Sequence, residues 1–494
     1  MPALRRISVD DLHQRRWELL ALTSVGAFMT PLDGSIVSVA IPVMSPELHL
    51  SFSATIWIQA AYLLATAVLL IPFGRLSDHY GRIRFYLAGI SVFGVGSLLA
   101  GLSMNGPWLI GSRILQGVGG ALLFATSSAI VTAVFPPQER GRALGINVMA
   151  VYLGLSVGPP LGGFITDNFG WRWIFYVNIP IALVVLVWGW LLLPRAEREN
   201  QGAPRVDTVG AVLLGAFLIC LLVPLTFAPQ WGWLAPRSLI LLGVAAVSIV
   251  LLVLVELRVD DPLLDIDLLR HNRLFATANG AALLNYMALF AVSILTAIFL
   301  EVVQGRSAGL TGWLMLGQPI TQTVLSPFMG RLSDKVGSRV LTTAGMLLVA
   351  AGMVLLAAMP KTAGIAHVMG ALAVVGLGLA LFSAPNTSAI MGSVRRDQLG
   401  VASAFLATMR VTGQALSVAV LGGIAASTMG ALGGRLLFAH GAGAGQLAHG
   451  VSHAADQYAR GFTYAMATGA ALAVVGALLS LTRGAHVPQE RPAS

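Results

Sequence analysis

Charge is scarce in this chain. Only 10% of its 494 residues are Asp, Glu, Lys or Arg, where a soluble globular domain carries about 25%. Mean hydropathy is +0.81. That deficit excludes a water-soluble fold and requires an integral membrane protein. Cysteine is nearly missing as well. The single Cys220 excludes an intramolecular disulfide and any cysteine-cluster metal site, and its apolar surroundings read as a small buried hydrophobe. The apolar runs contain no His-x-x-x-His pair, no Ser/His pair at one depth and no metal-ligand spacing, which argues against a membrane-embedded enzyme. No ring of charge or filter loop suggests a channel. A cleavable signal-peptide pattern is also not seen, because two Arg pairs precede a long apolar run that has the length of a permanent span.

What is abundant is apolar length and glycine: 56% hydrophobic residues and 55 glycines, as expected where helices pack closely in lipid. The pattern predicts fourteen apolar helices, at 18–43, 55–74, 86–104, 108–134, 146–166, 172–194, 209–228, 237–257, 276–301, 309–330, 340–359, 363–391, 400–425 and 461–482. Each can cross about 30 Å of hydrocarbon. The net charge of +9 would suit a nucleic-acid partner, but the basic residues sort by membrane side instead. Of the 30 Lys and Arg, 22 fall on the side of the N-terminus, six on the opposite side, and two, Arg113 and Arg410, inside the spans. The bias puts both termini in the cytoplasm of a multi-pass protein of the cell (inner) membrane, with anionic lipid as the natural neighbour of the basic face. No nucleic-acid partner is expected.

One motif occurs twice. Gly74-Arg-Leu-Ser-Asp78-His-Tyr-Gly81-Arg82-Ile matches Gly330-Arg-Leu-Ser-Asp334-Lys-Val-Gly337-Ser-Arg339 at six of ten positions. A polar turn repeated between membrane-grade helices indicates two related halves. The copies start 256 residues apart, which at about 30 residues per helix and loop is eight helices rather than six. The organisation expected is a six-helix half at 1–194, a linker with two inserted helices at 195–257, a second six-helix half at 258–482 and a tail at 483–494. The inserted pair has no charge at its centre and reads as peripheral. The stretch 426–460, with His440, His449 and His453, reads as an external loop, disordered or partly helical, with spacing too loose for a metal site.

Polar residues inside the spans are few enough to take one by one. Asp33 lies in the first helix, and a charge at the bilayer centre costs at least about 2.5–3.5 kcal/mol. A carboxylate in a poorly hydrated cavity can load and release protons near physiological pH, which makes Asp33 a proton-carrier candidate; snorkelling at a helix end is the alternative. Arg113 in the fourth helix needs a partner, and Asp33 or a water chain is the one available; a purely structural ion pair is the alternative. Gln116 and Gly117 share its face at i+3 and i+4. In the fifth helix Gly154, Gly158 and Gly162 recur every four residues, followed by Gly163 and interrupted by Pro159 and Pro160. That makes a smooth groove for close packing with a kink, read as a bendable seam between domains. Candidate cavity groups are Gln59, Tyr62, Gln116, Asn285, Tyr286, Gln318, Gln322, Asn386 and Arg410, each of which could instead bind helices together. Abundant Met and Phe suit an adaptable apolar wall. Helices nine to thirteen show no acid at depth, so one carboxylate-borne proton per cycle is expected, with monovalent or neutral amphipaths preferred over dications.

The order Gly-Arg-Leu-Ser-Asp-x-x-Gly resembles the motif between helices two and three of major facilitator superfamily transporters, and its repeat in their second half. Gly154-x-x-x-Gly158-Pro-x-x-Gly162-Gly163 is similar to the motif that marks the superfamily's antiporters. With Leu32-Asp33, Trp171-Arg-Trp-Ile-Phe-Tyr-Val-Asn-Ile-Pro180, Ala384-Pro385-Asn386 and Arg410-Val-Thr-Gly413, nearly the whole chain resembles the fourteen-helix drug:proton antiporter family. The resemblance implies an all-α major facilitator fold, a functional monomer, and export of amphipathic or cationic small molecules with the proton gradient as energy source and no cofactor. It also implies that Asp78, Gly81 and Arg82 latch the cytoplasmic ends of the halves when the cavity faces outward. In the second copy Asp334 and Gly337 match, while Ser338 stands in the place of Arg82. A dedicated exporter of one lipid or metabolite is the alternative within transport.

Overall fold

A run that is apolar at every helical position has no face for water, and in lipid it must satisfy its backbone within the helix. The computed structural model describes residues 15–136, 139–192, 207–259, 266–395, 398–429, 437 and 446–483, and the described segments are helices joined by short turns. The first half comprises α1 (Arg16–Glu47), α2 (Phe52–Tyr80), α3 (Arg82–Gly101), α4 (Gly106–Val134), α5 (Arg140–Phe169) and α6, in two pieces, Trp173–Tyr176 and Asn178–Leu192. Then come α7 (Thr208–Trp231) and α8 (Pro236–Glu256). The second half comprises α9 (Arg273–Ile298), continued by a π-turn at Phe299–Val303, α10 (Ala308–Met315 and Gly317–Val336), α11 (Ser338–Ala357), α12 (Ile365–Gly392), α13 (Leu399–Ser427) and α14 (Gln446–Leu481). A short helix, Ile266–His271, precedes α9.

Among the described residues thirteen helices are long and apolar enough to span a membrane. The fourteenth expected span, 309–330, is α10, which breaks at Leu316 just before Gly317-Gln318-Pro319. Pro319 brings no backbone donor, so the helix is weakest there, and its second piece carries too many polar residues to meet the same apolar threshold.

The repeated motif is tighter than a loop. Its residues Gly74–Tyr80 form the last turns of α2, and only Gly81 is non-helical before α3 begins. Gly337 plays the same part between α10 and α11. Both glycines have positive φ, +104° and +89°, a region that side chains avoid. One residue therefore reverses the chain in each half. Arg75, Arg82 and Arg84 in the first copy, and Arg331, Lys335 and Arg339 in the second, gather at this end of the bundle, called the basic end below.

The expected external loop is partly helix, since α14 starts at Gln446, fifteen residues earlier than the apolar pattern; residues 430–436 and 438–445, His440 included, lie outside the described segments. A consequence is that His449 and His453 sit one turn apart on a helix; His453 Nε2 lies 3.1 Å from Gln457 Nε2. The inserted helices differ from each other. Most of α8 is exposed on the bundle's outside, with Leu239, Ile240, Val247 and Val250 bare. In contrast, α7 lies between the halves at one edge: the backbone of its Leu225 meets Gly423 of α13, and Gly215 approaches Val68 of α2.

The halves meet most tightly at the end opposite the basic one. Val39 of α1, Ala297 of α9, and Ala308 and Met315 of α10 form a small apolar cluster across them. Asp167 Oδ2 of α5 accepts from Gly309 N of α10 at 2.7 Å, a carboxylate at the helix start where it compensates a bare backbone donor. Toward the basic end the contact thins to Ser156 Oγ and Thr323 Oγ1 at 3.5 Å. Beyond it Val148 and Met149 of α5, and Val324 and Phe328 of α10, are exposed.

Candidate functional site

Two features occupy the middle of the bundle: a sealed polar network within the first half and a cavity between the halves. The network centres on Asp33 and Arg113, both 0% exposed and joined by a salt bridge from Arg113 Nη1 to Asp33 Oδ2. Each nitrogen of the guanidinium is hydrogen-bonded. Nε donates to the Ile58 carbonyl at 3.0 Å, Nη1 also to Gln116 Oε1 at 2.7 Å, and Nη2 to Gln59 Oε1 at 3.2 Å. The Tyr62 ring lies 4.5 Å below the guanidinium carbon. Asp33 Oδ1 accepts from Gln116 Nε2 at 3.1 Å and Asn178 Nδ2 at 3.0 Å. Gln116 Nε2 reaches Ser97 Oγ at 2.7 Å, and Gln59 Nε2 reaches the Gly34 carbonyl at 3.3 Å. Helices α1, α2, α3, α4 and α6 thus converge on one carboxylate. Burying both charges is tolerable only because each is multiply hydrogen-bonded. One acceptor is left over: Asn178 Oδ1 is enclosed without a protein partner.

Gln59, Tyr62 and Gln116 therefore belong to the proton-site candidate and not to the substrate cavity. Helical spacing showed that Gln116 shares the face of Arg113, but it could not show which neighbour that face meets. Asn178 was present only as one letter in the aromatic stretch entering α6; its position at the break between the two pieces of α6 was the available signal.

The cavity lies between the halves and is open on one side. Gly34, Ser35 and Ser38 of α1 and Tyr152 and Pro159 of α5 line one wall; Tyr286 and Phe290 of α9, Gln318 and Gln322 of α10, and Gln414 of α13 line the other. Of the sequence candidates, Tyr286, Gln318 and Gln322 are in place. Asn285 is fully buried behind the wall, with neither end of its amide partnered. Asn386 is structural: its Nδ2 donates to the Ala278 carbonyl at 3.2 Å and its Oδ1 accepts from Arg483. Arg410 stands one turn from Gln414, with its guanidinium 5.2 Å from the Phe124 ring of α4.

The glycine helix divides its labour by face. Side chains added at Gly154, Gly158 or Gly162 would collide with Phe28, Ser35 or Ile36, all on α1 of the same half. Pro159 and Gly163, i and i+4 on the adjacent face, meet the second half: Gly163 abuts the Ala308 carbonyl, and Gly312 abuts that of Pro159. The groove read as an interdomain seam is thus mainly an intradomain one, and the seam between halves lies one residue around the helix.

At the basic end Arg82 Nε bonds Asp78 Oδ1 at 2.6 Å and Arg82 Nη1 bonds the Ala129 carbonyl of α4 at 3.1 Å. Both partners are in the first half. Asp334 lies in α10, but its side chain is outside the described set. At the far end Glu301, on the π-turn, has an enclosed Oε1 with no protein partner. The span pattern ended at 301 and did not single it out; π-turns recur at functional sites. Among the described residues no three metal-capable side chains converge.

Comparison with known proteins agrees with this architecture. The family model of the Major Facilitator Superfamily matches residues 23–257 and again 279–492, one match per half. The riboflavin transporter RibZ of Clostridioides difficile is 33% identical over 417 residues, covering 84% of this chain and 90% of that one. The multidrug resistance protein Stp of Mycobacterium tuberculosis (strain CDC 1551 / Oshkosh) is 34% identical over 420 residues, covering 84% and 77%. Among solved structures, a bacterial homologue of the human lysosomal transporter Spinster, inward-facing and unoccupied, superposes with a TM-score of 0.66 at 15% identity, covering 94% and 96%. Two helical halves that each match the same family model, around one central cavity, place the chain in the Major Facilitator Superfamily of membrane transporters.

Proposed function

We propose that this transporter exports small amphipathic molecules in exchange for protons, with Asp33 as the proton carrier. The observation that carries the reading is adjacency. Asp33 is sealed in the polar network, while Gly34 and Ser35, the next two residues of α1, line the cavity. Any shift of α1 on proton binding is felt by the substrate wall. Neutralising Asp33 removes the salt bridge but leaves Arg113 held by Ile58, Gln59, Gln116 and Tyr62. The arginine need not leave when the proton arrives. What loosens is the tie of α1 to α4 and α6, and the enclosed Asn178 Oδ1 offers an acceptor for a proton-bearing water.

The arginine distribution puts the basic end and both termini in the cytoplasm of a cell membrane, with anionic lipid at that face. The end closed by Gly163, Gly312 and Asp167 is then external, and the cavity is set to receive substrate from inside. In the opposite state Asp78 and Arg82, which here bond within their own half, are free to engage the second half as a latch. A one-substrate carrier is the second reading, favoured by the relative named as a riboflavin transporter.

The test is Asp33→Asn in proteoliposomes. The wild-type protein should acidify or alkalinise the lumen when substrate is added, and the variant should bind substrate without moving protons at any pH. Proton flux retained by Asp33→Asn would exclude Asp33 as carrier.

A further inference from the structure

Among the cavity's lining residues there is no carboxylate. Its polar groups are hydroxyls and amides, and Asp33, the nearest acid along α1, is 0% exposed with both oxygens turned to Arg113, Gln116 and Asn178. A cavity that binds organic cations in a poorly hydrated space needs a negative partner, because an unpaired charge there loses its water without compensation. This one offers the reverse. Arg410 lies one helical turn from the lining residue Gln414, and Tyr286, which lines the cavity, packs against Gly413 of the same helix. Among the described residues no carboxylate lies within ion-pair distance of Arg410; its guanidinium neighbours the Phe124 ring of the opposite half. Stacking on a ring fixes the guanidinium plane and leaves its edge donors for a ligand. Tyr152 of α5 and Tyr286 of α9 both line the cavity, so aromatic rings from both halves border the same space.

We propose that the cavity selects planar aromatic molecules that are neutral or anionic, rejects cations, and reads an acidic or carbonyl oxygen of the ligand with Arg410 and Tyr286 as specificity residues. This rests on the exporter reading and narrows its substrate class. The aromatic side chains take the ring system, Gln318, Gln322 and Gln414 serve its polar edges, and the arginine fork supplies charge-assisted donors. The Arg410–Phe124 contact also crosses the two halves, so a ligand oxygen held by Arg410 competes for a group that bridges them.

The experiment uses three planar tricyclic fluorophores that differ in charge: resorufin, an anion at mildly alkaline pH; riboflavin, neutral; and pyronin Y, a cation. Binding to the full-length protein in nanodiscs is read by fluorescence anisotropy. Wild type should bind resorufin and riboflavin at least about tenfold more tightly than pyronin Y. Arg410→Gln should weaken resorufin by about tenfold or more, change riboflavin little and leave pyronin Y equal or tighter. Arg410→Lys should restore resorufin only in part, because ammonium lacks the fork and the stack. Tyr286→Phe should weaken resorufin and riboflavin, the two probes with a carbonyl or phenolate oxygen, and leave pyronin Y unchanged. Riboflavin binding in the Arg410 variants, and pyronin Y binding in Tyr286→Phe, report that the cavity has folded. Tighter binding of pyronin Y by wild type would overturn the proposal, as would an equal loss of all three probes in both Arg410 variants, or no binding of any. If the charge preference is found but a proton gradient drives none of the probes in proteoliposomes, the exporter reading fails while the charge selection stands.

Discussion

At the scale of single residues the molecule is governed by how few charges it places in the membrane. Asp33 and Arg113 were legible in the sequence because a charge in an apolar run is costly enough to need a reason. Their partners were not. Gln59 and Tyr62 are polar letters in an apolar helix, and nothing in a single helix's periodicity tells whether they face a cavity or a salt bridge. The network supports a prediction about stability as distinct from transport. Asp33→Asn puts an amide NH2 or a lone carbonyl where Arg113 needs an anion, and leaves a buried cation uncompensated, at a cost of about 3–5 kcal/mol. Adding Arg113→Gln removes that cation. The double variant should therefore unfold at a higher temperature in detergent than Asp33→Asn alone, while proton exchange stays lost in both. A double variant no more stable than the single one would mean that the pair's energy does not lie in its charges.

At the scale of helices the sequence marked where something happens better than what happens. The repeated motif was visible, yet its contraction to a single positive-φ glycine between two helices depends on helix ends that an apolar pattern cannot show, since Arg75, Ser77 and Asp78 are as helical as the span before them. The same limit hid the true start of α14, whose first turns are polar. The glycines of α5 make the point in three dimensions. Spacing by four identified a smooth face, but only the packing shows that Gly158 meets α1 while Gly163 meets α10. The two should behave differently when enlarged. Gly158→Ala intrudes on Ser35 within one half, a contact that a rigid half keeps in every state, so it should lower thermal stability without favouring either orientation. Gly163→Ala pushes against Ala308 only when the far end is closed, so it should shift the population toward an opened far end. In a Cys220→Ser background, a cysteine at Thr311, buried here, should react faster with an impermeant maleimide from outside in Gly163→Ala than in Gly158→Ala. Equal rates would show that the seam is not the gate.

For the whole molecule the count of titrating carboxylates sets the energetics of export. The polar network holds one, Asp33, and the cavity lining none, so the proposed cycle returns one proton for each substrate released. Glu301 lies on the far-end π-turn and belongs to neither set. Charge balance then fixes the voltage dependence by substrate class. A monocation leaving as a proton enters moves no net charge. A neutral molecule moves one positive charge inward per cycle, and a monoanion moves two. Each charge crossing 100 mV is worth about 2.3 kcal/mol, close to fiftyfold in the concentration ratio that can be sustained. A carrier that takes neutral and anionic aromatics is therefore driven by the inside-negative potential as well as by the pH gradient, and by the potential alone when the gradient collapses. In proteoliposomes with the potential clamped by a potassium ionophore and no pH difference, riboflavin should accumulate against its gradient with the slope of one charge, and resorufin with the slope of two. Accumulation of either that ignores the imposed potential would contradict a one-proton cycle, whatever the identity of the carrier.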